Sequence, residues 1–189
     1  YGGTDTEEIQ LNEETFWSGG PYNNNSTASL QRLTEVRSLI FDGKEKEAED
    51  IINRYFIKGP HGMRFLTLGS LNLNFGHKEV KDYVRELDLQ TGINTTSYQC
   101  NQVTYTRRVM ASLADGVVVV NVKASKKGAL NFVLSHKCQF PLTVKAEGKT
   151  LLATIQGVEQ EGIPAALTAQ CRTDVKADGT VKVDGETLK

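Results

Sequence analysis

No sign of charge prevails in this sequence: 22 Lys and Arg stand against 23 Asp and Glu, scattered along the chain. Phosphate backbones require a dense positive face, so no nucleic-acid partner is expected. Long apolar runs are missing as well. The longest purely aliphatic one is Val117–Val120, against the roughly 20 apolar residues of a membrane-spanning helix, so no membrane span is expected. Histidine is scarce: His61, His77 and His136 are isolated, without HExxH spacing or a neighbouring Cys or carboxylate cluster. No metal site or cofactor is expected from them. Cys100, Cys138 and Cys171 are odd in number and lie 38 and 33 positions apart, unlike a disulfide framework or paired zinc ligands; they read as small apolar residues buried in strands. Neither a GxSxG elbow nor a GxxxxGK loop occurs, which removes the warrant for serine-nucleophile and P-loop chemistry. The opening Tyr1-Gly2-Gly3 has no initiator Met, basic region or apolar leader, and the natural start is expected upstream.

What is present describes an ordinary globular chain, 39% hydrophobic and 24% charged over 189 residues. That is enough for one large domain or two small ones, burying roughly 70% of the unfolded surface. After a short strand around Ile9–Leu11 comes the turn-rich stretch Ser18-Gly19-Gly20-Pro21-Tyr22-Asn23-Asn24-Asn25-Ser26, which reads as a loop. Leu30, Leu33, Val36, Leu39 and Ile40 then recur at helical spacing, with Ser26 or Ser29 near the start and Gly43 at the end. A second helix is expected over about Lys44–Ile57, with Ala48, Ile51, Ile52, Tyr55 and Phe56 on its apolar face and Gly59-Pro60 stopping it. Together they make a two-helix insertion over about 27–58.

From about Phe65 the pattern turns to alternation and β-branched residues, at 71–75, 83–89, 93–98, 103–109, 117–122, 130–134, 151–155 and 165–175. Turns are expected at Gly76, Gly92, Asn101-Gln102, Asp115-Gly116, Lys127-Gly128, Gly148 and Asp178-Gly179. Strands every ten residues or so, with no helices between, predict antiparallel meanders and a mainly β fold. The fold class is thus a large antiparallel β-sandwich with a short two-helix insertion near its start. The closing Val181–Lys189 reads as a hairpin broken off in its second strand, and the domain is expected to continue beyond it.

A glycoside hydrolase acting alone needs one carboxylic acid to protonate the leaving oxygen and a second group to attack or to activate water. The acids here are plentiful but unpatterned: Glu7-Glu8, Glu13-Glu14 and Glu47, Glu49 and Asp50 read as solvated faces. Asn-x-Ser/Thr sequons at Asn24, Asn25 and Asn94 carry meaning only in a secreted eukaryotic protein. His77 reads as a turn residue, and His61 lies in the Gly59-Pro60-His61-Gly62 connection.

One stretch stands apart. Gln10-Leu11-Asn12-Glu13-Glu14-Thr15-Phe16-Trp17-Ser18-Gly19-Gly20-Pro21 holds the chain's single Trp, followed at once by a Gly-Gly-Pro turn. A large ring beside polar side chains can grip a sugar or dock another domain. On the residues alone, a core Trp capped by a tight turn is the favoured reading.

The segment Gly2–Tyr22, centred on that stretch, resembles the opening of the amino-terminal domain of glycoside hydrolase family 95, the α-L-fucosidases similar to bacterial 1,2-α-L-fucosidase. The likeness continues in order through Val36–Lys44 with Ala48-Glu49, Leu68–Leu73, Tyr83–Gly92 and Val103–Ser112, strong over about residues 2–125 and diffuse beyond. The resemblance implies a parent of three parts: an amino-terminal super-sandwich, a catalytic (α/α)6 helical barrel and a carboxy-terminal β domain. It also implies inverting hydrolysis of α-L-fucosyl linkages by barrel residues. This sequence has no room for paired barrel helices beside its strands. The catalytic barrel of the same parent chain is therefore the expected partner, a fucosylated glycan the parent's substrate, and no catalytic residue is expected in this segment. Asn12, Glu13, Trp17, Ser18 and Gly19 are the family-motif positions, candidates for the substrate side or the domain junction; Phe16 stands where an aliphatic or aromatic residue is expected. The family's exported members imply a bacterial, periplasmic or extracellular setting. A self-standing carbohydrate-binding module and the same domain in an α-L-galactosidase are the alternatives, and an isolated domain is expected to self-associate through an apolar face meant for the barrel.

Overall fold

The computed structural model describes residues 1–26, 28–57, 59 and 62–189. The expected ends of the helical insertion at Thr27 and Lys58, the Pro60 stop and His61 lie outside the described residues.

The described chain is mainly β and sandwich-like, with two helices near its start. The strands are β1 (Thr6–Trp17), β2 (Phe65–Asn74), β3 (Lys81–Asp88), β4 (Ile93–Cys100), β5 (Val103–Ser112) and β6 (Val117–Ala124). There follow β7 (Val133–Lys137), β8 (Leu142–Glu147), β9 (Thr150–Gln156), β10 (Thr168–Asp174), β11 (Val183–Asp184) and β12 (Thr187–Leu188). They form a five-stranded sheet in the order β1-β2-β7-β12-β11, a three-stranded sheet β10-β9-β8 and a meander β3-β4-β5-β6. The meander strands pair antiparallel, as do β2 with β7, β7 with β12 and β12 with β11. The expected fold class is borne out.

The chain divides into two compact units, one of Tyr1–Leu11, Leu68–Thr154 and Gln170–Lys189, the other of Asn12–Thr67 and Ile155–Ala169. In the first, β2 is buried from Leu68 to Leu73 without alternation, the signature of a strand covered on both faces. The meander's hairpin β4–β5 turns on Asn101 and Gln102, both at positive φ (49° and 62°), and a two-residue turn of this hand matches the twist of its strands. Tyr98, Cys100, Val103 and Tyr105 form the core of this hairpin's inward face. Beside them, Arg107 on β5 forms a buried ion pair with Glu7 on β1 and donates to the carbonyl of Gly3 at 2.9 Å. This corrects the reading of Glu7-Glu8 as a solvated face: Glu7 is 3% exposed, and Glu8 accepts a 2.7 Å bond from Ser70 Oγ. A carboxylate is held there because a buried charge demands a partner, and Arg107, far off in sequence, supplies it.

Several other expectations shift. β1 runs from Thr6 through Trp17, far beyond Ile9–Leu11; β7 begins at Val133, three residues past the expected start; and β8 was not foreseen. Polar residues masked these strands: His136 in β7 is buried, its Nε2 2.7 Å from the Leu68 carbonyl. His77 follows β2 as expected, but its ring is packed 4.2 Å from that of Tyr105 and shares a 2.9 Å hydrogen bond with the Tyr98 hydroxyl. Of the cysteines, Cys100 is buried in β4 as read, Cys171 is half-buried in β10, and Cys138 lies just past β7.

The second unit holds α1 (Ser29–Phe41) and α2 (Glu45–Tyr55), which pack on each other. Ser29 is the first helical residue, and its hydroxyl donates to the Ser26 carbonyl. The expected stripe of α1 buries Val36 alone; Leu30, Leu33 and Ile40 are exposed. Ala48 is the buried member of the α2 face.

Candidate functional site

The motif residues all fall in the second unit, and the strand alternation sorts them. Along β1, Glu13, Thr15 and Trp17 share one face while Asn12, Glu14 and Phe16 share the other. Phe16 is 2% exposed and Trp17 43% exposed. The core aromatic is therefore Phe16, and the reading of Trp17 as a capped core residue is corrected: a twelve-residue strand carries the preceding ring into the core and leaves the indole at the surface.

The exposed indole is held on two sides. Its Nε1–H donates to the Glu14 carbonyl at 2.8 Å, and Phe65 packs edge-on with ring centroids 5.3 Å apart. On the same face, Glu13 Oε2 accepts from the Thr15 backbone N–H at 2.9 Å and from its hydroxyl at 2.6 Å. Asn12 is exposed on the opposite face, so the structure does not gather all five candidates into one cluster.

Ser18 and Gly19 are buried and serve a different end. The Ser18 hydroxyl donates to Gln160 Oε1 at 2.5 Å and accepts from the Arg64 backbone N–H at 2.8 Å. Gln160 Oε1 also accepts from that same N–H at 2.8 Å, and its Nε2 donates to the Gly62 carbonyl at 2.5 Å. One amide thus ties the end of β1, the approach to β2 and the segment before β10. Backbone bonds reinforce it: Ser18 N–H to the Arg64 carbonyl at 2.9 Å, Gly19 N–H to that of Val158 at 2.7 Å, and Ala166 N–H to that of Gly19 at 2.9 Å. Gly19 has φ +58°, and a Cβ there would overlap Met63 Sδ and crowd Ile163. Only glycine meets both demands without cost. No pattern in the sequence singles out Gln160, whose surroundings are polar and turn-like, and Phe65 reads there as the start of strand content, with nothing to mark it as a partner of Trp17.

Among the described residues no three His, Cys, Asp or Glu gather as metal ligands. The arrangement can hold a fixed aromatic surface beside a carboxylate and a hydroxyl, and it can hold a rigid turn. Where carboxylates are perturbed the direction is opposite to a general acid's: a backbone bond from Gln90 holds exposed Asp88 below the usual range, and the Arg172 side chain does the same for Asp174.

The fold is that of a mainly β domain, and comparison with known proteins places it in a family. The chain belongs to the family described as "Glycosyl hydrolase family 65, N-terminal domain", which matches residues 1–189. It is 32% identical over 139 residues to "Alpha-L-fucosidase 2" of Arabidopsis thaliana, covering 71% of this chain and 16% of that protein. Two fungal proteins named "Probable alpha-fucosidase A" are also similar: that of Aspergillus oryzae is 27% identical over 173 residues (89% of this chain, 24% of the relative). That of Aspergillus niger is 22% identical over 149 residues (74% and 18%). The resemblance to the amino-terminal domain of a fucosidase-type glycoside hydrolase is borne out, with plant and fungal relatives and under the family 65 description of this domain. The chain spans between about a sixth and a quarter of the length of these relatives.

Proposed function

We propose that this chain is the non-catalytic amino-terminal domain of a larger glycan-degrading hydrolase, whose parent activity is inverting hydrolysis of α-L-fucosyl linkages. The observation that carries the reading is a mismatch between scale and chemistry. The relatives named as α-fucosidases are four to six times longer than the stretch they share with this chain. Within this chain, the most deeply buried carboxylate, Glu7, is paired with Arg107, where a glycosidase would need two carboxyl groups facing one space.

On this reading the reactive acids belong to a helical-barrel partner in the same parent, and this domain braces it. The Gln160-tied turn at Ser18 and Gly19 is the rigid element at the junction, while Glu13 and Trp17 face the substrate side. Cleavage outside the cytoplasm, where fucosylated glycans are displayed, follows from the same reading.

The bracing role is tested by preparing the parent protein with and without residues 1–189. We expect the shortened protein to lose fucosidase activity and to aggregate or melt lower. Full activity and unchanged melting after removal would refute the role.

A further inference from the structure

We propose that the solvent-facing strip Glu13, Thr15 and Trp17 of β1, flanked by Phe65, is a carbohydrate-binding subsite that stacks one pyranose ring of a glycan on the indole. The proposal rests on the reading of the parent as a glycan-degrading enzyme and adds to it a site on this domain itself.

Three features carry it. The first is the fixed ring: Nε1 donates to Glu14 O, three residues back along the strand, which ties the indole to the backbone of β1. Phe65 packs against it in an edge-to-face arrangement with centroids 5.3 Å apart, and the indole still stays 43% exposed, leaving aromatic surface on which the C–H face of a sugar can pack.

The second is the polar edge. Glu13 and Thr15 are exposed on the face that carries Trp17, and residues two apart on a strand sit roughly 7 Å from each other. A ring on the indole therefore has a hydroxyl and a carboxylate beside it, within reach of its own hydroxyls. Both internal bonds to Glu13 fall on Oε2, which leaves Oε1 to accept from a ligand. Such a strip pairs one apolar surface with a few polar groups that set orientation.

The third is that the strip needs no rearrangement. Its three side chains are locked to the strand that carries them, so little ordering cost falls on binding. A docking face for another domain would gain nothing from a carboxylate held open by its own neighbour, since a buried unpaired charge opposes association.

Trp17 is the only Trp in the chain beside six Tyr, so indole emission, excited at wavelengths that tyrosine does not absorb, reports on this strip alone. Titration with α-L-fucosyl-(1→2)-galactose should shift the emission saturably with a millimolar midpoint and protect Trp17 from acrylamide quenching, lactose giving a weaker effect. Glu13→Gln and Thr15→Val, their folding checked by circular dichroism, should each raise the midpoint about 5- to 10-fold, the loss of one good hydrogen bond. No response up to roughly 50 mM sugar, a level at which even the weakest useful site would fill, would overturn the proposal. So would responses identical in wild type and both variants. Protection of Trp17 by the catalytic partner domain with no response to sugar would also overturn it and assign the strip to docking. None of these outcomes depends on hydrolysis, so the bracing role and this subsite fail separately.

Discussion

Replacing Gln160 by Leu should loosen the second unit more than any surface change of its size, because one side-chain amide serves three backbone segments. Its Oε1 accepts from Ser18 Oγ and Arg64 N–H, and its Nε2 donates to Gly62 O. Arg64 N–H keeps Ser18 Oγ as a second acceptor at 2.8 Å, so the substitution orphans two groups outright and weakens a third. At about 1 kcal/mol per hydrogen bond, the expected loss is roughly 2–3 kcal/mol. With a urea dependence of about 2 kcal/mol per molar, the midpoint should fall by roughly 1 M. Trp17 adjoins Ser18 and is the sole Trp, so its emission follows this unit, while far-ultraviolet circular dichroism follows the whole chain. Gln160→Glu preserves the acceptor but sets an oxygen against the Gly62 carbonyl, and should lie between wild type and the Leu variant. A Gln160→Leu midpoint within about 0.2 M of wild type would refute the role given to this amide, since it would mean that less than one hydrogen bond was lost.

Arg107→Leu strands Glu7 in the core and should cost about 3–5 kcal/mol, whereas the double Leu variant of Arg107 and Glu7 should recover much of that loss; additive losses in a denaturation cycle would contradict it. Gly69→Ala should prevent folding, because Gly69 has φ +81° and a Cβ would overlap the Lys137 carbonyl, which belongs to the paired strand and cannot step aside; soluble protein with native circular dichroism would count against this. Burial holds His136 below the usual imidazole range against the opposing pull of the Leu68 carbonyl, and burial likewise lowers His77 against the charge of Asp5. The unfolded chain therefore takes up these protons first. Stability is complete above about pH 6.5, the unfolded value, and declines as pH falls below it. Urea midpoints at pH 7.5 and 5 should show the decline, and His136→Gln should flatten it.

Strand alternation is legible where burial imprints a two-residue period, as in β5 from Val103 to Arg108 and in β9 from Thr150 to Ile155, whereas β3 is exposed along its whole length and is legible from its residue types alone. β7 and β1 were harder to read because polar groups are buried there by long-range partners: His136 by a carbonyl on β2, Glu7 by Arg107 one hundred positions away. No local window contains both halves of such a pair. The core place expected for Trp17 falls to Phe16 for a related reason. Composition identifies two adjacent aromatics, and only the phase of the strand decides which of them enters the core. The glycine of the Ser18-Gly19 turn was recognisable as special, whereas Gln160, which fixes that turn, lies 141 positions beyond Gly19 in an unremarkable polar stretch.

The central claim is that the reactive acids lie elsewhere, and hydrolysis measured on the purified 189-residue chain tests it most directly. With an α-L-fucosyl-(1→2)-galactoside as substrate, fucose release should not exceed that of buffer at any enzyme concentration. Release that scales with the chain's concentration, and that disappears on replacing one of its own carboxylates by the corresponding amide, would contradict the account.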